Sequence, residues 1–369
     1  MRLMLCVLLL CLSALDAHAD WRLDRFMIST WGGPTDEASA RAFADAGFNT
    51  VMGKSETLDL CRRHGLRAIV MDATPEMAAK LKSDSAVWGW YVRDEPGEDA
   101  FAATGEVVAK FHAADPNHPA YVNLMAWMNL DQYYKLVKPR FLSYDYYQWW
   151  WGSGNYCGRL EAHRDAALKH DQDLICWIES NSDPRWEWGK PGATYLPDNG
   201  PRLRQSVYLA MAYGVRGIQW FTSGLAFKGG EPSERTLNEA GQDIKLLNHE
   251  MASLGPTLLQ LRSADVVHTA PVPAQARAVP ADLWVQPRNR NLTLGLFADP
   301  RGGRYLMVVN RALARKQPAN LWFTAAKTVS KFDRTSRQWV ALELQPGAQG
   351  KAAVRLALEP GDGALLRVE

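Results

Sequence analysis

Two glutamates stand at the ends of apolar segments that have the pattern of buried strands. Glu95 follows the run VWGWYVRD, and Glu179 closes the run DLICWIE. Valine, isoleucine, tryptophan and tyrosine at these lengths are typical of parallel strands covered on both faces. An ionised carboxylate is costly in such surroundings unless it is paired or takes part in chemistry. The two glutamates are therefore candidate acid, base or nucleophilic groups of an active site.

Eight short segments rich in apolar, aromatic or β-branched residues must position these glutamates. They are residues 26–31, 48–53, 66–72, 87–94, 120–124, 141–147, 174–179 and 215–222. Helix-like segments fill most of the gaps, at 37–46, 76–81, 100–113, 130–137, 161–169 and 201–213. Strand and helix alternating over roughly 230 residues predict an α/β fold of the (β/α)8 TIM-barrel type, whose catalytic residues lie at the carboxyl ends of the strands. On this count Glu95 ends strand four and Glu179 ends strand seven.

These two positions resemble those of the retaining (β/α)8 glycoside hydrolases of clan A, which include the family 42 β-galactosidases and the family 5 glycanases. In that clan the acid/base glutamate follows an asparagine at the end of strand four, and the nucleophilic glutamate ends strand seven. The resemblance implies these roles for Glu95 and Glu179. Asp94 stands where the clan has asparagine, and it is a candidate to bind a sugar hydroxyl.

Aromatic residues near strands six and eight extend the resemblance. The clan commonly has a tyrosine from strand six that supports the nucleophile, and SYDYYQ supplies Tyr144, Tyr146 and Tyr147. We choose Tyr146 for this role and take Tyr144 and Tyr146 as candidate substrate contacts. The clan also has a tryptophan near the end of strand eight that forms the floor of the sugar site. In GIQWFTSG this residue is Trp220.

The chemistry of glycosidic bond cleavage explains why two carboxyls would be placed in this way. A proton must reach the leaving oxygen while negative charge faces the developing oxocarbenium carbon. We expect Glu179 to attack and Glu95 to act as acid and then as base. An inverting or divergent hydrolase in which Asp94 or Glu179 activates water is one alternative. A barrel that has lost catalysis and serves glycan binding or polysaccharide export is another.

Each carboxylate also has a purely structural interpretation. Glu95 could cap a loop or pair with Arg93, and Glu179 could be the first exposed residue of the loop ESNSDP. Asp94 could pair with Arg93 or with Lys54. The order of the motifs on eight strands favours the catalytic interpretation for the two glutamates and leaves the role of Asp94 open.

Fifteen tryptophans give the main compositional signal for a ligand-binding surface. Several fall in the predicted loops after strands six and seven, within WWWG and RWEWG. Exposed apolar surface is usually avoided, so a loop cluster of this kind indicates contact with a ligand, and indole rings stack on the C–H faces of sugars. We take Trp150 and Trp186 as candidate sugar contacts. A satellite core of buried loop tryptophans is the structural alternative.

Other strand ends supply further candidates for substrate binding, namely Trp31, Lys54, Asp72 and Asn123. Together they predict a polar pocket suited to a polyhydroxylated ligand such as an oligosaccharide or polysaccharide. The eight histidines are scattered, and the sequence has no CxxC, HExxH or glycine-rich phosphate motif, so we expect neither a metal nor a cofactor. A net charge of +2 without a basic run argues against a nucleic-acid or membrane surface.

The first 19 residues have the pattern of a secretory signal peptide. Arg2 precedes an apolar run over residues 3–12, and AHA precedes Asp20. The run is too short to span a bilayer, and no other stretch of the sequence reaches that length. We therefore expect a secreted or periplasmic protein. The cysteines that remain, Cys61, Cys157 and Cys176, allow at most one disulfide.

The pattern changes after strand eight. A long amphipathic helix over residues 233–254 is expected to end at Gly255 and Pro256. From residue 264 onward, short alternating segments separated by Gly, Pro and Asn predict an antiparallel β-sandwich of about 100 residues. The segments are residues 264–269, 282–287, 292–297, 304–310, 319–324, 336–344, 351–358 and 363–369. The predicted domains are a barrel over residues 20–257 and a sandwich over residues 258–369. We expect the sandwich to support the barrel rather than to bind sugar.

Overall fold

The computed structural model describes residues 21–152, 154–187, 193–230, 236–347 and 350–369. The signal peptide predicted for residues 1–19 and the loop residue Trp188 lie outside this part of the chain. The described chain folds into an eight-stranded parallel sheet followed by two antiparallel sheets. The predicted fold class, a (β/α)8 barrel followed by an all-β sandwich, is confirmed.

Eight parallel strands form the barrel. They are β1 Met27–Thr30, β2 Thr50–Gly53, β3 Arg67–Val70, β4 Val87–Asp94, β5 Ala120–Met125, β6 Phe141–Asp145, β7 Asp173–Glu179 and β8 Gly217–Phe221. Their order in the sheet is β1-β8-β7-β6-β5-β4-β3-β2. Between β1 and β2 the Asn49 N–H donates to the Ile28 carbonyl at 3.0 Å, and the Met52 N–H donates to the Gly32 carbonyl at 3.2 Å. These two bonds join the ends of the sheet into a ring.

Helices surround the strands in the predicted alternation. They are α1 Glu37–Asp45, α2 Leu58–Arg63, α3 Pro75–Leu81, α4 Phe101–Ala114, α5 Leu130–Val137, α6 Gln148–Trp151, α7 Tyr156–Lys169, α8 Asn199–Ala212 and α9 Glu239–Leu258. Side-chain caps fix where several of them begin, because the first amides of a helix lack internal acceptors. The Asp36 carboxylate accepts from the Ser39 N–H at 2.6 Å, and Asn129 accepts from the Gln132 N–H at 3.0 Å.

The interior of the barrel is filled by side chains. Met27, Ile69, Tyr121 and Ile175 are among the fully buried residues of this inner cluster. Below them, Trp21 packs at 5.5 Å from the ring of Trp88 and covers the end where the strands begin. The barrel is therefore packed solid except at the carboxyl ends of its strands, as is usual for this fold.

The end of α9 differs from the prediction. The helix continues through Gly255 and Pro256 to Leu258. Gly255 packs directly on Phe26, where a Cβ atom would come within 2.4 Å of the Phe26 Cβ. Leu258 is buried, and its apolar contacts hold the last turn in place although Pro256 removes one helical donor.

The C-terminal unit consists of two antiparallel sheets. Its strands are β9 Arg262–His268, β10 Val285–Pro287, β11 Leu292–Ala298, β12 Arg304–Asn310, β13 Gln317–Phe323, β14 Val329–Asp333, β15 Gln338–Ala341, β16 Gln345–Pro346, β17 Ala352–Leu358 and β18 Gly363–Val368. The larger sheet has the order β15-β14-β18-β12-β11-β9, and the smaller has β10-β13-β17-β16. The sequence patterns predicted all of these strands except β14 and β16.

The larger sheet packs against the outside of the barrel at α8 and α9. Gly295 lies so close to α8 that a Cβ atom there would approach the Ala212 carbonyl oxygen to 2.1 Å. Arg334 donates to Glu250 of α9 at 3.0 Å and to Asp362 at 2.9 Å. The sandwich residues Phe297, Met307 and Leu365 belong to the same buried cluster as the barrel helices. One apolar cluster therefore spans both units, and the sandwich has a second cluster of its own.

The three cysteines in the described ranges, Cys61, Cys157 and Cys176, are free and buried. No helix of the described chain combines the length and apolar character needed to cross a membrane.

Candidate active site

A cavity of about 540 Å³ opens at the carboxyl ends of the barrel strands. Its polar lining comes from Asp94, Glu95, Asn123 and Glu187. Its walls are aromatic and consist of Trp31, Tyr147, Trp150, Trp151, Trp177, Trp186 and Phe221. A concave site of this size with a few converging polar groups is the usual form of a small-ligand site.

Two adjacent carboxyls reach this cavity because the end of β4 breaks the usual alternation of side chains. The pairing of β4 with β5 shifts between Tyr91 and Arg93, and Asp94 then pairs with Asn123. The next residue, Glu95, has a φ of 45°, in the left-handed region. A glutamate rarely adopts this conformation, and such strained residues concentrate at functional sites. The Glu95 N–H donates to the Asn123 carbonyl at 3.0 Å, which holds the turn.

Asn123 joins Asp94 to a third carboxyl, Asp145 at the end of β6. Its Nδ2 donates to Asp94 Oδ1 at 3.2 Å and to Asp145 Oδ1 at 3.3 Å. Its Oδ1 accepts from the Ser143 hydroxyl at 2.8 Å. Because Ser143 occupies the amide oxygen, the amide nitrogen faces the two carboxylates. The strand ends β4, β5 and β6 therefore form one connected polar cluster.

The three carboxyls of this cluster influence one another. Burial raises the pKa of Asp94 to about 6, and the charge of Glu95 adds to the rise while the Asn123 bond opposes it. Burial also raises the pKa of Asp145 well above its usual value, and the neighbouring carboxyls of Glu95 and Asp94 raise it further. Like charges this close disfavour full ionisation, so the cluster retains a proton near neutral pH.

Glu179 lies at the end of β7 as predicted, but it is fully buried and does not line the cavity. Its Oε1 accepts from the Trp149 N–H at 2.6 Å. Burial raises the pKa of Glu179 to about 7, against the lowering effect of backbone hydrogen bonds led by that of Trp149. Burial raises the pKa of Tyr147 well above its usual value, and the charges of Asp145, Asp94, Glu95 and Glu179 add to the rise, so Tyr147 lies near both sets of acids.

The structural alternatives proposed for these acids find little support. Among the described residues no salt bridge joins Arg93 to Asp94 or Glu95. Glu179 is a buried strand residue rather than an exposed loop residue.

Four of the predicted substrate contacts line the cavity besides Asp94, namely Trp31, Asn123, Trp150 and Trp186. Trp150 and Trp186 lie with ring centroids 4.2 Å apart, and Trp31 packs 5.8 Å from Trp177. These pairs form two aromatic walls on the cavity.

Two other predicted contacts, Lys54 and Asp72, are exposed and lie outside the cavity lining. The Asp72 carboxylate accepts from the backbone N–H and the hydroxyl of Ser55, at 2.8 and 2.7 Å. Its visible role is therefore to fasten the loop after β2.

Three predicted aromatic contacts face away from the cavity. Trp220 is fully buried on the outer face of β8, and its indole N–H donates to Asn248 of α9 at 2.8 Å. Tyr144 is buried and stacks on His163 of α7 at 3.7 Å. Tyr146 is also buried and lies 6.1 Å from the ring of Tyr156. None of the three lines the cavity, and their positions do not support the substrate contacts expected of them.

Side-chain alternation along the strands accounts for these placements and for the residues that the sequence analysis did not select. On β6, Ser143 and Asp145 point inward while Tyr144 points outward; on β8, Phe221 points inward while Trp220 points outward. In SYDYYQ, Asp145 stands two positions after Ser143, so the sequence shows that the two side chains share a face of the strand but not that this face is the inner one. Trp177, Trp151, Phe221 and Glu187 were likewise not selected.

A buried hydrogen-bond network seals the barrel below the cavity. The Trp177 indole N–H donates to the Tyr121 hydroxyl at 2.9 Å, and that hydroxyl donates to Gln219 Oε1 at 2.9 Å. Ser143 lies 3.2 Å from the same hydroxyl and connects the network to Asn123. The described residues contain no group of three or more His, Cys, Asp or Glu side chains arranged to hold a metal ion.

No protein-family model matches the chain, and no curated protein is similar to it in sequence. Solved structures are similar in fold. One is a glycoside hydrolase of family 5 from Bacteroides vulgatus, with a TM-score of 0.56 and 13% identity, covering 93% of this chain and 89% of that one. Another is a cold-adapted β-galactosidase from Rahnella sp. R3, with a TM-score of 0.56 and 9% identity, covering 94% of this chain and 99% of that one. At these identities the similarity shows that the chain shares the fold of these glycoside hydrolases.

Proposed function

We propose that the protein is a secreted or periplasmic glycoside hydrolase that cleaves a β-glycosidic bond, with Glu95 as the proton donor. The observation that carries this proposal is the cavity itself, in which the adjacent acids of β4 meet aromatic walls at the catalytic end of a barrel. Two proteins of the same fold are a family 5 glycoside hydrolase and a β-galactosidase, which supports the proposal.

The acids of the cluster suit the two demands of this reaction. Glu95 is exposed to the cavity, so its carboxyl can reach a leaving-group oxygen. Asp94 lies beside it and, once ionised, places negative charge near a developing oxocarbenium ion, whereas burial keeps the proton on Asp145. Aromatic walls exclude water and strengthen these electrostatic interactions.

In the retaining form of the proposal, Glu179 is the nucleophile and Glu95 acts as acid and then as base. The position of Glu179 at the end of β7 supports this role, and the Trp149 N–H would stabilise its ionised form. The role also requires movement, because the carboxyl must reach the cavity from its buried position.

An inverting mechanism is the second candidate, because Glu179 is buried and does not line the cavity. Asp94 lines the cavity next to Glu95, and it can act as the base that activates water in an inverting reaction. The two mechanisms differ in the configuration of the first product. Proton NMR of the anomeric signal during early turnover distinguishes a retained from an inverted product.

The test of the whole proposal is hydrolysis of a panel of aryl β-glycosides by the purified protein. Glu95→Gln should lose most of the activity on members of the panel whose phenol is weakly acidic, and Glu106→Gln, which changes an exposed glutamate on α4, should keep it. If wild-type protein binds glycans but hydrolyses neither this panel nor polysaccharides, the protein is a non-catalytic glycan-binding barrel. Secretion is tested separately, by Edman sequencing of the exported protein, which should begin at Asp20.

A further inference from the structure

Only two of the tryptophans that the structure describes are exposed, and they contact each other. Trp127 is 49% exposed and Trp151 is 41% exposed. Their ring centroids are 5.4 Å apart and their planes are inclined by 55°. Trp127 lies in the turn after β5, and Trp151 is the last residue of α6. Exposed aromatic surface at the mouth of a cavity is typical of a ligand-binding surface.

The turn that carries Trp127 is held firmly on both sides. Arg159 of α7 donates to the carbonyl oxygen of Ala126 at 3.2 Å. The backbone N–H of Asn129 donates to the Glu98 carboxylate at 2.9 Å. The indole is therefore presented to solvent from a fixed backbone, which lowers the entropic cost of binding a ligand.

Trp151 connects this exposed pair to the cavity. It is one of the cavity-lining residues, and its ring makes edge-to-face contacts with Tyr146 at 5.3 Å and with Tyr147 at 5.1 Å. A ligand that leaves the cavity past Trp151 therefore meets Trp127 next. The exposed aromatic surface is continuous with the proposed active site.

We propose that Trp127 and Trp151 form an outer sugar-binding platform, which holds a further unit of a glycan whose reacting unit occupies the cavity. This inference rests on the proposed function and specifies its substrate as an oligosaccharide or polysaccharide. The area fits a sugar better than a protein. Two half-exposed indoles offer roughly 100 Å² each, whereas a stable protein interface needs about 1,000 Å².

The test compares Trp127→Ala with the wild-type protein on short and long substrates. Trp127 does not line the cavity, so activity on an aryl monoglycoside should stay within about twofold of wild type. On oligosaccharides of increasing length from the same sugar, KM should rise about tenfold once the chain is long enough to reach the platform. Trp127→Tyr, which keeps an aromatic face, should recover most of this loss. Trp322→Ala on β13 of the sandwich is the control and should behave as wild type.

A binding measurement separates this inference from the proposed hydrolase activity. Affinity electrophoresis of Glu95→Gln through gels that contain soluble galactan, galactomannan, xylan or β-glucan should show retardation by one of them. Adding Trp127→Ala should reduce that retardation, whether or not the wild-type protein is a hydrolase. The platform is refuted, while the hydrolase stands, if a glycan retards Glu95→Gln equally with and without Trp127→Ala. It is also refuted if Trp127→Ala changes KM equally for short and long substrates. If no glycan is bound or cleaved, both proposals fail.

Discussion

At the scale of single residues, Asp145 changes the chemistry expected of the site. The sequence pattern predicts Glu95 and Glu179 as a pair across the barrel, whereas the structure places Asp145 beside Glu95 and Asp94. Burial and the neighbouring charges of Glu95 and Asp94 favour a proton on Asp145, next to the proposed proton donor. The cluster therefore holds a proton close to Glu95, which lines the cavity.

The role of Glu95 as a proton donor predicts a dependence on the leaving group. Glu95→Gln should lower kcat on alkyl glycosides by about 10² to 10⁴-fold, because their leaving oxygen needs protonation. Aryl glycosides with acidic phenols should be affected far less in their bond-breaking step. The measurement is the rate across a series of phenols of graded acidity. Equal losses for good and poor leaving groups would assign the proton to another residue.

Burial of Glu179 predicts a pH dependence of stability. Its pKa is about 7 in the folded protein against an ordinary value of 4.5, so the folded state binds this proton more tightly than the unfolded chain. The free energy of unfolding should therefore fall as the pH rises from about 4.5 to about 7, by up to about 3 kcal/mol from this group.

Urea unfolding of wild type and Glu179→Gln at pH 5 and pH 8 checks this prediction. The glutamine at position 179 is uncharged at both pH values, so the free energy of unfolding of the variant should fall less from pH 5 to pH 8 than that of wild type. Glu106→Gln should keep the full wild-type change. A variant whose stability changes with pH as much as that of wild type would mean that Glu179 ionises freely in the folded protein.

At the scale of the strand, β8 offers a direct test of side-chain direction. Trp220 and Phe221 are neighbours, but Trp220 is buried against α9 while Phe221 lines the cavity. Trp220→Ala should lower the free energy of unfolding by about 3 to 5 kcal/mol and leave kcat/KM of the folded protein unchanged. Phe221→Ala should reduce kcat/KM and should lower the free energy of unfolding less than Trp220→Ala does. Thermal unfolding and steady-state kinetics of the two variants test this prediction. If Trp220→Ala instead lowers kcat/KM with little loss of stability, Trp220 lies in the sugar site.

The same strand shows what the sequence could and could not predict. Runs of apolar and β-branched residues identified all eight barrel strands, and β4 was predicted with its observed bounds. The inward face of each strand was harder, because both faces of a barrel strand are covered and both are apolar. That is why Trp220 and Tyr144 were selected in place of Phe221 and Asp145. The shift in β4 and the left-handed Glu95 leave no trace in hydropathy at all.

The sandwich shows the same limit. Alternation predicted its long strands, whereas β16 has only two residues, too few to show a period. The order of strands in the two sheets depends on contacts between distant segments, which local patterns do not contain.

The apolar cluster that spans both units predicts that the barrel depends on the sandwich. A chain that ends at the predicted boundary, residue 257, loses Leu258 and every sandwich residue that covers α8 and α9. The exposed apolar face should cause aggregation or early melting. Size-exclusion chromatography and thermal unfolding test this. A soluble, monodisperse barrel with full activity on small glycosides would instead make the sandwich a separable module.

The sealed interior of the barrel also restricts how a polymer can be handled. Trp21, Trp88 and the Tyr121 network leave no passage between the two ends of the barrel. A glycan therefore cannot thread through the protein, and both halves of a cleaved chain must leave by the mouth at which it arrived. Because substrate enters and product leaves through the same opening, a released fragment competes with the incoming chain for the cavity. Product inhibition should therefore slow the reaction more than depletion of substrate alone would.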